Sequence, residues 1–202
     1  MKVADYSKVF QFRHLNYVHA PKMGSRTILG WFALIQEPSL YQFHPEYFVG
    51  ISKGDEAYTY IRNLRELTSE IDLHKKSFCV VRDPVERFIS AFKNRVLTHD
   101  ECEEKDFGRF VDNFDYYYET NRSVGIHFRP ATDFYGTDRS IYDKVFRLEH
   151  LGSCKEWLEK EFDCKLPDIK LQQSVKVDIK PTEEQIEKIK YIFRKDYKHG
   201  WT

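Results

Sequence analysis

An uninterrupted apolar run near the middle of the chain constrains the fold more than any other feature. The run, Ser77 to Val81 (SFCVV), has the length of a strand and no polar alternation, which is typical of a strand covered on both faces. Asp83 then suits a helix N-cap, and Pro84 suits the first helical position. Apolar residues recur at helical spacing from Val85 to Val96. The segment predicts a buried strand that leads directly into a helix.

The same order of elements is predicted near the start of the chain. Leu15 to His19 (LNYVH) is predicted as a strand, Ala20 to Ser25 (APKMGS) as a loop, and Ile28, Phe32 and Ile35 have the spacing of a helix. Further strands are predicted at Tyr47 to Ser52 and Val145 to Leu148, and further helices at Glu56 to Ser69, Ser153 to Phe162 and Thr182 to Tyr197. Strands that alternate with helices predict an α/β fold, a three-layer sandwich around a central, mostly parallel sheet. With 202 residues, the chain suits a single domain over residues 1–202.

Composition and charge exclude several classes of protein. The 32 basic and 32 acidic residues balance, unlike those of a uniformly basic nucleic-acid binder. No apolar run is long enough for a transmembrane helix, and Met1 to Arg13 lacks the apolar core of a secretory signal. We therefore expect a cytoplasmic protein without a membrane anchor. The cysteines and histidines lack zinc-site spacing, and no metal is expected.

The loop after the first strand carries groups suited to a phosphate. Ligands of parallel α/β sheets bind beyond the carboxyl ends of strands, where a helix N-terminus offers backbone N–H groups to anions. The candidate binding residues are Lys22, Gly24, Ser25, Arg26 and Thr27. The loop is not a Walker A motif, because Lys22 precedes Gly24 instead of following the second glycine of such a motif. On these residues alone, a plain strand-to-helix turn with a solvated lysine explains the segment equally well.

The junction after Val81 is the second candidate site. An arginine and a hydroxyl can hold one phosphate, and Arg82 and Ser90 provide them. Arg87 is expected either to join them or to pair with Asp83 or Glu86. A capped helix with surface ion pairs is the alternative.

Taken together, the two segments resemble the PAPS-dependent sulfotransferases, where PAPS is 3′-phosphoadenosine 5′-phosphosulfate. The first resembles the family's 5′-phosphosulfate loop, P-K-x-G-S/T-x-[ST], and the second its 3′-phosphate motif, R-[DN]-P-x-x-R-x-x-S, which is matched at every defined position. A looser resemblance to the carbohydrate branch lies in Ile126 to Pro130 (IHFRP) and Tyr142 to Glu149 (YDKVFRLE). The Gln172-Gln173-Ser174 stretch also fits that branch.

The resemblance implies in-line transfer of a sulfuryl group from PAPS to a carbohydrate or other small hydroxylated acceptor, or to an amine, with 3′,5′-phosphoadenosine (PAP) as product and no metal. Lys22 is expected to stabilise charge on the bridging oxygen. The general base is expected to be His44 or Glu46, which follow the first helix. His127 is open to a contact with PAPS, a contact with the acceptor, or a hydrogen bond in the core.

Other functions remain open at this point. The alternative from another class is a non-catalytic sulfotransferase-like module that binds phosphoadenosine or a glycan. A small kinase is disfavoured by the missing Walker lysine and Mg²⁺-type carboxylates. The sequence indicates neither the acceptor nor the oligomeric state. The acidic run Asp100 to Asp106 is interpreted as a solvated helix start.

Overall fold

The structure is a computed structural model and describes residues 1–43, 49–50, 66–171 and 175–202. The strands are β1 (Lys8–Phe12), β2 (Leu15–His19), β3 (Val49–Gly50), β4 (Glu66–Thr68), β5 (Lys76–Val81), β6 (Lys144–Arg147) and β7 (Lys170–Leu171). The α-helices are α1 (Ser25–Gln36), α2 (Ser39–Phe43), α3 (Pro84–Ala91), α4 (Phe107–Asp112), α5 (Phe114–Thr120), α6 (Arg122–His127), α7 (Thr132–Tyr135), α8 (Leu151–Phe162), α9 (Glu183–Ile192) and α10 (Arg194–Lys198). A π-helix (Phe92–Thr98) continues α3, and two 3₁₀ turns (Arg139–Ile141, Leu148–His150) flank β6.

The main sheet has the strand order β4-β1-β2-β5-β6. Strands β2, β5 and β6 pair in parallel, whereas β1 pairs antiparallel with both β2 and β4. Four of these five strands therefore run in one direction, and β1 alone opposes them. The expected α/β fold with a mostly parallel central sheet is confirmed.

Helices cover both faces of the sheet. On one face the Phe78 ring of β5 contacts Phe32 of α1 and Trp157 of α8, with ring centroids 6.2 and 5.1 Å apart. On the other face α7 packs against β2, and the Tyr135 hydroxyl donates to the Val80 carbonyl at 2.7 Å. Because β5 is covered on both sides, it needs the continuous apolar sequence found there.

A second, largely aromatic core lies beneath α3. The Phe88 ring stands in its centre, with the rings of Phe110, Phe114, Phe128 and Phe193 at centroid distances of 4.9 to 6.2 Å. Edge-to-face and tilted aromatic pairs of this kind add to the free energy gained from burial. The cluster fixes α3 against the helices that follow it and against α9.

Several predicted elements differ from the observed ones at their ends. The helix predicted from Glu56 to Ser69 is wrong at its end, because β4 occupies 66–68 there and pairs with β1, a tertiary contact that local propensity cannot anticipate. The rest of that segment lies outside the described residues. The strand predicted over 47–52 is described only as β3.

The predicted C-terminal helix is interrupted at Phe193, which separates α9 from α10. Its start is as expected: Thr182 and Gln185 form a reciprocal capping box. The longest helices in the described ranges, α1 and α8, have 12 residues each, and none of the helices described is long and apolar enough to cross a membrane.

A buried asparagine fixes the amino end of the parallel pair. Asn16 of β2 is fully buried, and its amide nitrogen donates to the Asp72 carbonyl at 2.8 Å and to the Ser77 hydroxyl at 3.0 Å. It also lies 3.3 Å from the Lys75 carbonyl, and its amide oxygen accepts from the Asp72 N–H at 3.2 Å. One side chain thus satisfies polar groups of the turn before β5 and of β5 itself.

We predict that Asn16→Ala lowers the free energy of unfolding by about 2 kcal/mol, because it leaves buried backbone groups without partners. Urea denaturation measures the change. Gln11→Ala is the matched control: Gln11 lies opposite Asn16 on β1, and its hydrogen bonds are long, at 3.4 Å. Equal losses in the two variants would contradict this account.

Candidate functional site

Three chain segments, each following a parallel strand, lie at one edge of the sheet. In the register, Val18 of β2 lies beside Cys79 of β5, and Val81 of β5 lies beside Arg147 of β6. The loop after β2, the junction after β5 and the turn after β6 therefore emerge side by side. This is the edge at which the two candidate phosphate-binding segments were expected to lie together.

The first loop has an unusual backbone. Lys22 has a φ of 66° and Gly24 a φ of 71°, both in the left-handed region, where a lysine is uncommon. A Cβ added at Gly24 would lie 2.6 Å from Cδ1 of Leu148, the first residue after β6. Glycine is therefore required here both for its φ and for the close approach of Leu148. Outliers of this kind are concentrated at functional sites.

Helix α1 begins directly after this glycine. The Gly24 carbonyl accepts from the N–H groups of Thr27 and Ile28 at 3.1 and 3.3 Å, which closes the first turn. Gly24 occupies the N-cap position and has no side chain with which to cap the helix. The first turn of α1, with the hydroxyls of Ser25 and Thr27, thus adjoins the loop that carries Lys22, an arrangement suited to an anion.

Positive charge is concentrated around Lys22. Burial, which is the largest effect, and the nearby guanidinium groups of Arg95, Arg82 and Arg26 together lower the pKa of Lys22 to about 7. Within the described residues Lys22 makes no ion pair. We call these four residues the cation cluster: each arginine is close enough to repel the Lys22 ammonium, and an anion bound among them would relieve that repulsion.

Arg95 was not expected at this site. Its side chain is 21% exposed and forms an ion pair with Glu101 at 2.8 Å. Arg95 lies on the π-helix that continues α3. Neither of the two recognised motifs includes Arg95, because the second motif ends at Ser90.

The second motif forms a capped helix, as predicted. The Asp83 carboxylate accepts from the Glu86 N–H at 3.0 Å, and Pro84 occupies the first turn. Arg82 is 21% exposed and lies 3.5 Å from the Glu86 carboxylate. Ser90 is half-buried, two turns along α3, and none of the hydrogen bonds described for this part of the chain joins it to Arg82.

Arg87 does not form either of the ion pairs expected for it. It is fully buried and pairs with Asp196 of α10 at 3.4 Å, rather than with Asp83 or Glu86. It also donates to the Arg129 carbonyl.

The Asp196 carboxylate accepts hydrogen bonds from several donors besides Arg87. Asp196 accepts from the Ala131 and Thr132 N–H groups at 2.8 and 2.9 Å and from the Thr132 hydroxyl at 2.7 Å. The pair therefore ties the motif helix α3 to the C-terminal helix and to the start of α7.

The other sequence candidates fall in different places. His127 ends α6, and its Nδ1 lies 2.9 Å from the Ser123 carbonyl. His44 and Glu46, the expected bases, lie outside the described residues, as does the Gln172-Gln173-Ser174 stretch. The acidic run ends in the N-cap of α4, where Asp106 accepts from the Arg109 N–H at 2.8 Å.

Comparison with known proteins identifies the family. A family model described as "Sulfotransferase family" matches residues 7–199. The chain belongs to the sulfotransferase family. The match spans both strand-loop-helix segments and the cation cluster, and the activity shared by the family is transfer of a sulfuryl group. Searches of curated proteins and of solved structures gave no match.

We predict that Asp196→Ala lowers the unfolding free energy of this sulfotransferase by about 3–5 kcal/mol, because Arg87 would remain buried without its partner. Denaturation in urea tests this. The control is Asp112→Ala, which breaks an ion pair to Lys188 whose side chains are 55% and 44% exposed, and it should cost at most about 1 kcal/mol. An Asp196 variant as stable as the control would refute the structural role of the pair.

Proposed function

We propose that this sulfotransferase uses PAPS as donor and transfers the sulfuryl group to an acceptor hydroxyl on a carbohydrate. The observation that carries the proposal is the cation cluster. Four cationic side chains adjoin a helix N-terminus there, and burial together with the three arginines lowers the pKa of Lys22 to about 7. A site where one lysine and three arginines lie this close together favours a ligand with several negative charges, and PAPS has them at both ends.

The residues present fit the two ends of PAPS. The loop segment would hold the 5′-phosphosulfate through Lys22, Arg26, the hydroxyls of Ser25 and Thr27, and the backbone that Gly24 exposes. Arg82 would hold the 3′-phosphate, together with Ser90. Arg87 would support this half indirectly, since its ion pair with Asp196 fixes the helix that carries Ser90.

Lys22 would change its charge state when the donor binds. With a pKa of about 7, its amine is about half protonated at neutral pH in the free protein. The negative charge of a bound phosphosulfate raises that pKa, so Lys22 would be a full cation in the complex. An ammonium at this position would stabilise charge that develops on the bridging oxygen as the S–O bond breaks.

Two segments of the chain support a carbohydrate as the acceptor. Ile126 to Pro130 and Tyr142 to Glu149 resemble the carbohydrate branch of the family. The first of them includes His127, whose imidazole is close enough to Lys22 and Arg95 to interact electrostatically with both. A residue from the acceptor-side segment thus adjoins the proposed donor site, which supports an acceptor bound between the two.

Calorimetric titration with PAP, AMP and ATP tests the donor site. We predict on the order of micromolar affinity for PAP and markedly weaker binding of AMP, which lacks the 3′-phosphate. Arg82→Met should weaken PAP binding about 10- to 100-fold, because a charge-assisted contact is lost. Arg109→Met, which removes a 72% exposed arginine on α4, is the matched control and should leave the affinity unchanged.

Two results would count against the proposal in different ways. A folded protein that binds no PAP, or binds AMP equally well, would contradict the PAPS site. Tight PAP binding without any sulfuryl transfer from PAPS to a panel of carbohydrates would favour the non-catalytic module instead.

A further inference from the structure

A line of polar contacts runs from the cation cluster to His127. Arg95 pairs with Glu101 at 2.8 Å, and the Ser123 hydroxyl donates to the same Glu101 carboxylate. Asn121 hydrogen-bonds to both of these residues. Its amide nitrogen donates to the Glu101 carbonyl at 2.6 Å, and its amide oxygen accepts from the Ser123 N–H at 3.0 Å. The line ends at the imidazole of His127, on the last turn of α6.

The hydrogen bond of His127 defines its tautomer. Nδ1 lies 2.9 Å from the Ser123 backbone carbonyl, and a carbonyl oxygen can only accept. Nδ1 therefore carries the proton, and Nε2 of the neutral ring carries the lone pair. Within the described residues the hydrogen bonds of His127 all involve Nδ1, so Nε2 stays available.

The surroundings keep this ring neutral at physiological pH. Burial is the largest effect and lowers the pKa of His127, and the charges of Arg95 and Lys22 act in the same direction. The Ser123 carbonyl and the Glu101 carboxylate favour the charged ring, but the resulting pKa is about 4. Arg95 belongs to the π-helix, Lys22 to the proposed donor loop and Glu101 to the segment before α4, while Ser123 lies on α6 with the ring itself.

We propose that His127 is the general base that accepts the proton of the acceptor hydroxyl, and that Glu101 and Arg95 are positioning residues that hold it beside Lys22. The proposal rests on the proposed function, because it assigns a role at that same site. It differs from the expectation that His44 or Glu46 is the base.

Transfer of the sulfuryl group forms one bond to sulfur and breaks another. The acceptor oxygen forms a bond to sulfur while the bond from sulfur to the bridging oxygen breaks, and PAP leaves with the electron pair. The acceptor proton passes to Nε2 of His127, and the imidazolium later releases it to water. Nδ1–H keeps its bond to the Ser123 carbonyl throughout, and Lys22 compensates the charge on the departing PAP.

A weak base is adequate for this task. In phosphoryl transfer, whose transition state is loose, the aspartate of protein kinases accepts the substrate hydroxyl proton although carboxylates are weak bases. A base whose pKa lies near 4 is also deprotonated in essentially every molecule at pH 7. The network thus supplies a fixed, permanently available lone pair.

The first test needs no acceptor. In ¹⁵N-labelled wild-type protein, long-range ¹H–¹⁵N spectra should show His127 as the neutral Nδ1–H tautomer from pH 5.5 to 8. A ring protonated on Nε2, or one that titrates near 6.5, would overturn the proposal.

The second test compares acceptors that do and do not need a base. With PAPS at pH 7.5, octyl glucoside presents un-ionised hydroxyls, 4-nitrophenol is largely ionised, and water reports as the acceptor in PAPS hydrolysis. His127→Asn should lower kcat at least about 100-fold with octyl glucoside and with water, but only a few-fold with 4-nitrophenol. Equal losses with all three probes, or no loss with any, would overturn the role of base.

A control variant and the titration with PAP distinguish the role of His127 from the proposed function on which it rests. His74→Asn removes an exposed histidine before β5, at the opposite edge of the sheet, and should leave every rate unchanged. Wild-type protein and His127→Asn should bind PAP equally. A wild type that fails to bind PAP would overturn the proposed function itself, whereas normal PAP binding with full turnover in His127→Asn would overturn only the base.

Discussion

The parallel pairing of β2 with β5 is the constraint on which the rest of this structure depends. Because both strands run in the same direction, their carboxyl ends and the following loops emerge together, and β6 adds a third segment. Arg82 is distant from Lys22 in the sequence, and yet its charge thereby lowers the pKa of Lys22. The strand β5 must be apolar on both faces to occupy this central position, and the buried amide of Asn16 fixes the amino end of the pair.

The cation cluster is kept in place by packing behind it. Helix α3 is fixed on one side by the aromatic core around Phe88 and on another by the buried pair of Arg87 and Asp196. A fully buried pair of this kind contributes little net stability compared with apolar packing, but breaking it is costly. The pair instead fixes the position of α3 and its π-helical continuation. The positions of Arg82, Ser90 and Arg95 depend on that placement.

Those parts of the fold and of the candidate site that depend on neighbouring residues could be predicted from the sequence. The Asp83 cap, the proline at the helix start and the strand before them follow from neighbouring residues, and so does Gly24 in a strand-to-helix turn. The partner of Arg87 could not be found this way, because Asp196 lies 109 residues further along the chain. Arg95 was missed because it lies beyond both recognised motifs, and β4 was missed because its pairing with β1 overrides local propensity.

The most direct test of the account is the pKa of the Lys22 amine, measured by NMR of ¹³C-labelled lysine with Lys22→Met for assignment. In the free protein the resonance should titrate near 7, because burial and three arginines oppose the charge. With PAP bound, the pKa should rise by at least one unit, since the ligand brings negative charge into the cluster. A lysine that titrates near its ordinary value of 10.5 and does not respond to PAP would contradict the claim that this sheet edge is a preformed polyanion site.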